Sequence, residues 1–136
     1  MKTRILVAED ETLVRLDLEQ VLSAGGFDVC GVARDGLEAV RLALELRPGL
    51  VVLDVEMPRL DGVEAARRIL AEHPVPIVML TAYGYGELIS RAVDAGVVGF
   101  VVKPFEENAL LTALRTASLR EADPAGLAYL DRAPEE

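Results

Sequence analysis

The feature that most limits the fold of this chain is a regular alternation of short apolar segments with longer amphipathic segments. The apolar segments have the length of β-strands, are rich in valine and isoleucine, and mostly end at glycine, proline or an acidic residue. They predict strands at residues 4–8, 28–32, 50–53, 75–80 and 97–102. The amphipathic segments predict helices at residues 11–24, 36–47, 63–72, 87–95 and 106–121.

Several predicted helix ends carry residues that favour a helix boundary. Asp35 is placed to cap the second helix, and Pro48 is placed to stop it. Gly96 suits the C-terminal cap of the fourth helix. Asp61-Gly62 is typical of a turn before the third helix. These signals support five strand–helix repeats in sequence.

Strands that are apolar on both faces indicate a parallel sheet with helices covering each side. The predicted fold class is therefore α/β, a doubly wound five-stranded parallel sheet with right-handed crossovers. In such sheets the functional crevice lies beyond the carboxyl ends of the strands. The residues that follow each strand are thus the first place to look for chemistry.

Polar residues follow four of the predicted strands. Glu9 and Asp10 follow the first strand, Asp54 the third, Thr81 the fourth and Lys103 the fifth. Crowded carboxylates repel unless a cation lies among them, and oxygen ligands suit Mg²⁺. A metal, a lysine and a hydroxyl around a carboxylate form an arrangement that handles phosphoryl groups, and a carboxylate can itself become an aspartyl phosphate. This explains why a buried strand ends on an acid.

Charge and composition exclude several classes of function. The chain has 136 residues, which suits one domain, and a net charge of −9, which disfavours direct binding of nucleic acid or of an anionic membrane. Its single cysteine, Cys30, permits no intramolecular disulfide. The amino terminus does not have the pattern of a signal peptide, and no apolar run approaches the roughly 18 residues of a membrane span. We expect a cytoplasmic protein.

Four motifs together identify a family resemblance. They are ILVAEDE at residues 5–11, VVLDVEMPRLDG at 51–62, IVMLTAY at 77–83 and GFVVKPF at 99–105. In this order and spacing they resemble the receiver domain of two-component response regulators, over residues 1–121. The stretch VAEDETLVRLDLEQVL is similar to the receivers of ANTAR-type antitermination regulators, whose RNA-binding output segment we expect to be absent here. Residues 122–136 are expected to be a C-terminal tail or a linker stump.

The resemblance implies a flavodoxin-like topology with strand order 2-1-3-4-5, and it implies roles for the residues at the strand ends. Asp54 would be the phospho-acceptor. Mg²⁺ would be bound by Asp10, by Asp54, by the backbone carbonyl of Glu56 and by Glu9, the last directly or through water. Lys103 would pair with Asp54 and its phosphoryl group, and the peptide bond between Lys103 and Pro104 would be cis.

The same resemblance implies a conformational switch. The hydroxyl of Thr81 and the backbone of Ala82 would contact the phosphoryl group, and Phe100 would follow Thr81 from an outward to an inward rotamer. The signal would pass through the fourth helix, the fifth strand and the fifth helix, where Gly84 and Gly86 ease rearrangement of the first helical turn. The expected partners are a sensor histidine kinase or phosphotransfer protein and an unidentified downstream protein, for a chain that is a monomer or weak homodimer.

Two departures from the family pattern leave alternatives open. Glu9 replaces the usual aspartate, and Glu56 adds a carboxylate two residues after the acceptor. One alternative is a binding module of receiver fold that is never phosphorylated. Another is a phosphatase that forms an aspartyl phosphate, for which Asp54 and Glu56 resemble an acid pair, although 136 residues leave no room for a cap domain. The preferred interpretation is a signalling switch and not a turnover enzyme.

Overall fold

Five strands alternate with five helices in the part of the chain that the structure describes, residues 2–82 and 86–119 of a computed structural model. The strands are β1 (Arg4–Ala8), β2 (Asp28–Ala33), β3 (Leu50–Asp54), β4 (Ile77–Thr81) and β5 (Gly99–Val102). The helices are α1 (Thr12–Ala24), α2 (Gly36–Leu46), α3 (Gly62–Leu70), α4 (Gly86–Ala95) and α5 (Glu107–Ser118). The predicted tail, residues 122–136, and Gly84 lie outside the described residues.

All strand pairs are parallel, and the sheet has the order β2-β1-β3-β4-β5. This confirms the predicted fold class and strand order. One apolar cluster lies between the sheet and α2, α3 and α4, and a second lies between the sheet and α1 and α5. Most side chains of the inner strands therefore enter one of two cores, which explains the nearly continuous apolar runs of these strands. Within the described residues, no helix combines the length and the apolarity needed to cross a bilayer.

The predicted boundaries differ from the observed ones mainly at the starts of β4 and β5 and at the end of α5, which is Ser118 and not residue 121. The prediction began these strands at Val75 and Val97, two residues before the observed starts at Ile77 and Gly99. Both valines are buried, with exposed fractions of 1% and 2%. An apolar run indicates that residues are buried and not that they pair in a sheet. Here the buried residues begin in the loop that precedes each strand.

The helix ends confirm the capping predictions. The Asp35 carboxylate accepts a hydrogen bond from the backbone N–H of Glu38 at 2.8 Å and caps α2. Asp61 caps α3 in the same way, through the N–H of Glu64 at 2.9 Å. Gly96 follows α4 with a positive φ of 103°, a conformation that glycine adopts without strain.

The loop after β3 is closed tightly by Gly62. Its backbone N–H donates to the carbonyl oxygen of Val55 at 2.7 Å. A Cβ atom at this position would lie 2.2 Å from the carbonyl oxygen of Asp54, so any side chain here would push the loop away from the end of β3. Asp61-Gly62 thus acts in turn geometry, as predicted, and it fixes the backbone around Asp54.

Candidate functional site

The carboxyl ends of four strands bring the predicted site residues together. Asp54 and Thr81 are the last residues of β3 and β4, Glu9 directly follows β1, and Lys103 directly follows β5. Glu9, Asp54 and Thr81 have exposed fractions of 0%, 2% and 2%, and they are the buried polar side chains among the described residues. Buried polar groups need partners, so their concentration at one edge of the sheet marks a functional site.

Lys103 bridges the two buried carboxylates. Its ammonium nitrogen Nζ lies 3.3 Å from Asp54 Oδ1 and 3.4 Å from Glu9 Oε1. Its backbone N–H donates to the carbonyl oxygen of Thr81 at 2.7 Å, which continues the β4–β5 ladder past the end of β5. The peptide bond between Lys103 and Pro104 is cis, as the resemblance implied.

Glu9 is held at both ends of its carboxylate. Oε1 faces Lys103, and Oε2 accepts a hydrogen bond from the backbone N–H of Glu11 at 3.1 Å. The backbone N–H of Glu9 donates to the carbonyl oxygen of Ala33 at 3.0 Å and links the loop to β2. Each oxygen of this fully buried carboxylate therefore has a partner within the protein.

Burial and neighbouring charges shift the titration of Asp54 and of Lys103. Burial and the nearby charge of Glu9 raise the pKa of Asp54 to about 6, against the lowering effects of Lys103 and of the backbone N–H of Glu56. Burial alone would lower the pKa of Lys103, but the charges of Asp54 and Glu9 outweigh it and the pKa is raised. Lys103 therefore stays protonated, while Asp54 is an unusually basic carboxylate.

Three carboxylates at this edge fit a hard divalent cation. Oxygen atoms from Glu9, Asp10 and Asp54 all lie within 4.8 Å of one another. Asp10 is exposed while the other two are buried. A cation here would therefore contact protein on its buried side and water on its exposed side. Mg²⁺ takes carboxylate oxygens and retains several waters, which matches a donor set that is open on one side.

The other predicted residues occupy the surroundings of this cluster. The side chain of Glu56 is exposed, while its backbone N–H bonds to Asp54. Ala82 follows β4 and is exposed. Phe100 is half-buried in β5 and packs against the apolar cluster beneath α2, α3 and α4. Gly86 is the first residue of α4.

Two features of the site were not predicted from the sequence. An apolar groove of about 620 Å³ borders Lys103 and is lined mainly by α1 and by the loop after β5. Its apolar lining includes Leu13, Val14 and Phe105. Arg15 donates from Nη1 to the backbone carbonyl oxygen of Glu9 at 2.9 Å. An arginine six residues after the first acid is a weak signal by itself, because arginines commonly occupy the polar face of a helix.

Comparison with known proteins places these observations in a family. The model of the response regulator receiver domain matches residues 5–115. The transcriptional regulatory protein PdtaR of Mycobacterium tuberculosis is 46% identical over 117 residues, which are 86% of this chain and 57% of that protein. The chain therefore spans little more than half the length of this relative. The chemotaxis protein CheY of Thermotoga maritima is 33% identical over 87% of this chain and 99% of its own length.

Solved structures agree with the sequence relatives. The response regulator domain of Thermotoga maritima CheB superposes with a TM-score of 0.81 at 32% identity, covering 88% of this chain and 98% of that domain. The signal receiver domain of NarL from Mycobacterium tuberculosis gives a TM-score of 0.83 at 28% identity, over 87% and 97% of the two chains. By sequence, topology and the residues at its strand ends, this chain belongs to the receiver domain family of two-component response regulators.

Proposed function

We propose that this chain is a phosphorylation-dependent signalling switch that accepts a phosphoryl group on Asp54 from a histidine kinase or phosphotransfer protein. The observation that carries this proposal is the pairing of the buried Asp54 with Lys103 at 3.3 Å. A rigid strand end positions the carboxylate, and the ammonium group offers positive charge where phosphoryl oxygens would gather.

The proposed reaction is an in-line displacement at phosphorus. A carboxylate oxygen of Asp54 forms the new O–P bond as the P–N bond of a phosphohistidine breaks, and the bonding electron pair remains on the departing imidazole nitrogen. The raised pKa of Asp54 supports this role, because a more basic carboxylate is a better nucleophile once it is ionised. At neutral pH the group is mostly ionised, since its pKa is about 6.

The phosphorylated side chain would be held by the neighbouring strand ends. Lys103 would pair with its oxygens, and the hydroxyl of Thr81 and the backbone N–H of Ala82 would donate to them. The position of these residues supports this, because β4 and β5 end beside β3 in the sheet. The aspartyl phosphate carries roughly two negative charges where the carboxylate carried one, which strengthens each of these contacts.

Mg²⁺ is the cofactor that the acidic cluster fits. We assign its ligands as carboxylate oxygens of Asp10 and Asp54 and the backbone carbonyl of Glu56. Glu9 would act on the ion mainly through water, because both of its carboxylate oxygens already have partners in Lys103 and the amide of Glu11. When bound, Mg²⁺ would neutralise negative charge that accumulates on the transferring group.

The output surface is proposed to be α4, β5 and α5. Phe100 is half-buried in β5, and its side chain is proposed to move inward when Thr81 turns toward a phosphoryl oxygen. Rearrangement of this aromatic side chain would alter the outer face of β5, where Val102 is 52% exposed. A downstream protein or a second copy of the chain would read that change.

The donor protein is proposed to dock in the groove beside Lys103. A donor histidine must approach Asp54 closely, and this groove borders the site directly. Leu13 is 81% exposed at its rim, which provides apolar area for a partner helix. We further propose that residues 1–121 form the receiver, that residues 122–136 form a tail or linker, and that the protein acts in the cytoplasm.

The mass of the intact protein after incubation with a small acyl phosphate and Mg²⁺ tests the proposed function. We expect one added phosphoryl group on the parent and none on Asp54→Ala. Asp94→Ala, which removes an exposed carboxylate from α4, is the matched control and should be modified like the parent. Addition to Asp54→Ala would identify a different acceptor. No addition to any protein, with Mg²⁺ binding intact, would favour the binding module that is not phosphorylated.

A further inference from the structure

Arg15 connects α1 to the loop that carries two of the three clustered acids. Its guanidinium donates from Nη1 to the carbonyl oxygen of Glu9 at 2.9 Å and from Nη2 to Thr12 Oγ1 at 3.4 Å. Its backbone N–H donates to the carbonyl oxygen of Glu11 at 2.9 Å. The backbone bond is the regular helical one, whereas the side chain links the first residue of α1 to the carbonyl of Glu9.

The carbonyl of Glu9 belongs to the peptide unit that joins Glu9 to Asp10. Because Glu9 is fully buried and β1 has ended at Ala8, this carbonyl needs a donor from outside the strand ladder, and Arg15 supplies one. The two oxygens of the Glu9 carboxylate are separately held by Lys103 and the amide of Glu11. With Arg15 in place, both the side chain and the following peptide plane of Glu9 are fixed.

Asp10 is the acid that gains most from this restraint. Its side chain is exposed, so surrounding atoms restrain it less than they restrain Glu9 or Asp54. Its position depends on the orientation of the peptide that precedes it, and that peptide carries the oxygen bound by Arg15. Rotation of this peptide would move the Asp10 carboxylate away from the other two.

We propose that Arg15 is a positioning residue that fixes the Glu9–Asp10 peptide and thereby sets the affinity of the acidic cluster for Mg²⁺. This inference rests on the proposed function, in which that cluster binds the ion. Residues that orient metal ligands typically change metal affinity by about 10- to 100-fold when they are replaced.

Arg15 affects Mg²⁺ binding in two opposite ways, so the direction in which the Kd changes shows which effect is larger. As a cation near the cluster, Arg15 repels Mg²⁺, so loss of its charge alone would tighten binding. As a restraint on the peptide, it keeps the ligands close together, so loss of its hydrogen bonds would weaken binding. If Arg15 is a positioning residue, Arg15→Met should bind Mg²⁺ more weakly than the parent, because methionine has a similar length but no hydrogen-bond donor.

The decisive experiment is calorimetric titration of the unphosphorylated proteins with Mg²⁺. We expect the Kd to rise about 10-fold in Arg15→Met and less in Arg15→Lys, which keeps the charge and one donor nitrogen. Arg41→Met makes the same chemical change on the exposed face of α2, where Arg41 pairs with Glu38 and Glu45, and its Kd should stay within about two-fold of the parent value.

Phosphorylation kinetics separate positioning from general damage. In Arg15→Met the Mg²⁺ concentration for half-maximal rate with a small acyl phosphate should rise in step with the Kd, while the rate at saturating Mg²⁺ stays near that of the parent. An unchanged or lower Kd would overturn the inference, as would a lost maximal rate with an unchanged Kd. Failure of the parent itself to bind Mg²⁺ would instead overturn the proposed function on which the inference depends.

Discussion

Glu9 and Lys103, which are 94 residues apart in sequence, form an ion pair of 3.4 Å at the end of the parallel sheet. The same ammonium group lies 3.3 Å from Asp54, so one cation serves two buried carboxylates. The buried part of the site is therefore one negative charge in excess before any ligand binds. Burial is the main cause of the raised pKa of Asp54, and the charge of Glu9 adds to it. The excess negative charge also attracts a divalent cation to the site.

Replacement of Glu9 by glutamine should lower the pKa of Asp54. Glu9→Gln removes the charge that is the second largest cause of the upward shift in pKa. Asp54 is then the one carboxylate that pairs with Lys103 among the described residues. We expect the titration of the Asp54 carboxyl carbon, followed by NMR without Mg²⁺, to move down from about 6 toward the ordinary value of 3.8. Glu11→Gln is the matched control, because Glu11 is exposed and its side chain does not cap α1. An unmoved titration in Glu9→Gln would show that burial alone raises the pKa.

The stability of the Mg²⁺-free protein should depend on pH through Asp54. The folded state, with a pKa of about 6, binds more protons than the unfolded state, with a pKa near 3.8, so this group lowers the free energy of unfolding as pH rises between those values. The penalty is absent below about pH 4, complete above about pH 7, and on the order of 2–3 kcal/mol.

Asp54→Asn has no such titration and supplies the measurement. Urea unfolding of both proteins without Mg²⁺ should give a difference in free energy of unfolding that grows in favour of the variant from about pH 4 to about pH 7. A constant difference over that range would mean that Asp54 titrates normally in the folded protein.

The fold and the principal site residues could be predicted because both depend on short-range patterns. Apolar runs identify the strands, and a parallel sheet gathers the residues that follow them, which brought Asp54, Thr81 and Lys103 into one prediction. The two early strand starts, at Val75 and Val97, came from the same rule, because those valines are buried before the ladder begins.

The missing parts of the site depend on side-chain contacts that no periodicity encodes. Glu9 was expected near the ion, but its bonds to the amide of Glu11 and to Lys103 follow from the direction of one long side chain. The sequence does not indicate the contact of Arg15, because an arginine on a half-exposed helical face has the same sequence pattern whether it contacts water or the carbonyl of Glu9.

Mg²⁺ should stabilise the parent against heat, and the effect should require the clustered acids. A ligand at about ten times its Kd adds roughly 1.4 kcal/mol to the free energy of unfolding. For a domain of this size that corresponds to a rise in Tm of about 5 °C. Asp10→Ala should lose most of this rise, whereas Asp94→Ala, which removes an exposed acid from α4, should keep it. An equal rise in both variants would indicate weak, dispersed binding of the cation to an acidic surface.

Leu13→Glu should block transfer from a histidine kinase while leaving the chemistry at Asp54 intact. The substitution places a charge at the rim of the apolar groove, where Leu13 is 81% exposed, so the folded protein should tolerate it. With a phosphorylated kinase domain that transfers to the parent, we expect the rate to fall by at least about ten-fold, as for a lost anchor of an interface. The rate with a small acyl phosphate should change by less than about two-fold, because that donor needs no docking surface.

Leu37→Glu makes the same change at an exposed leucine on α2 and should preserve both rates. Equal losses with both donors would place Leu13 in the folding of the site, and no loss with the kinase would move the docking surface away from this groove.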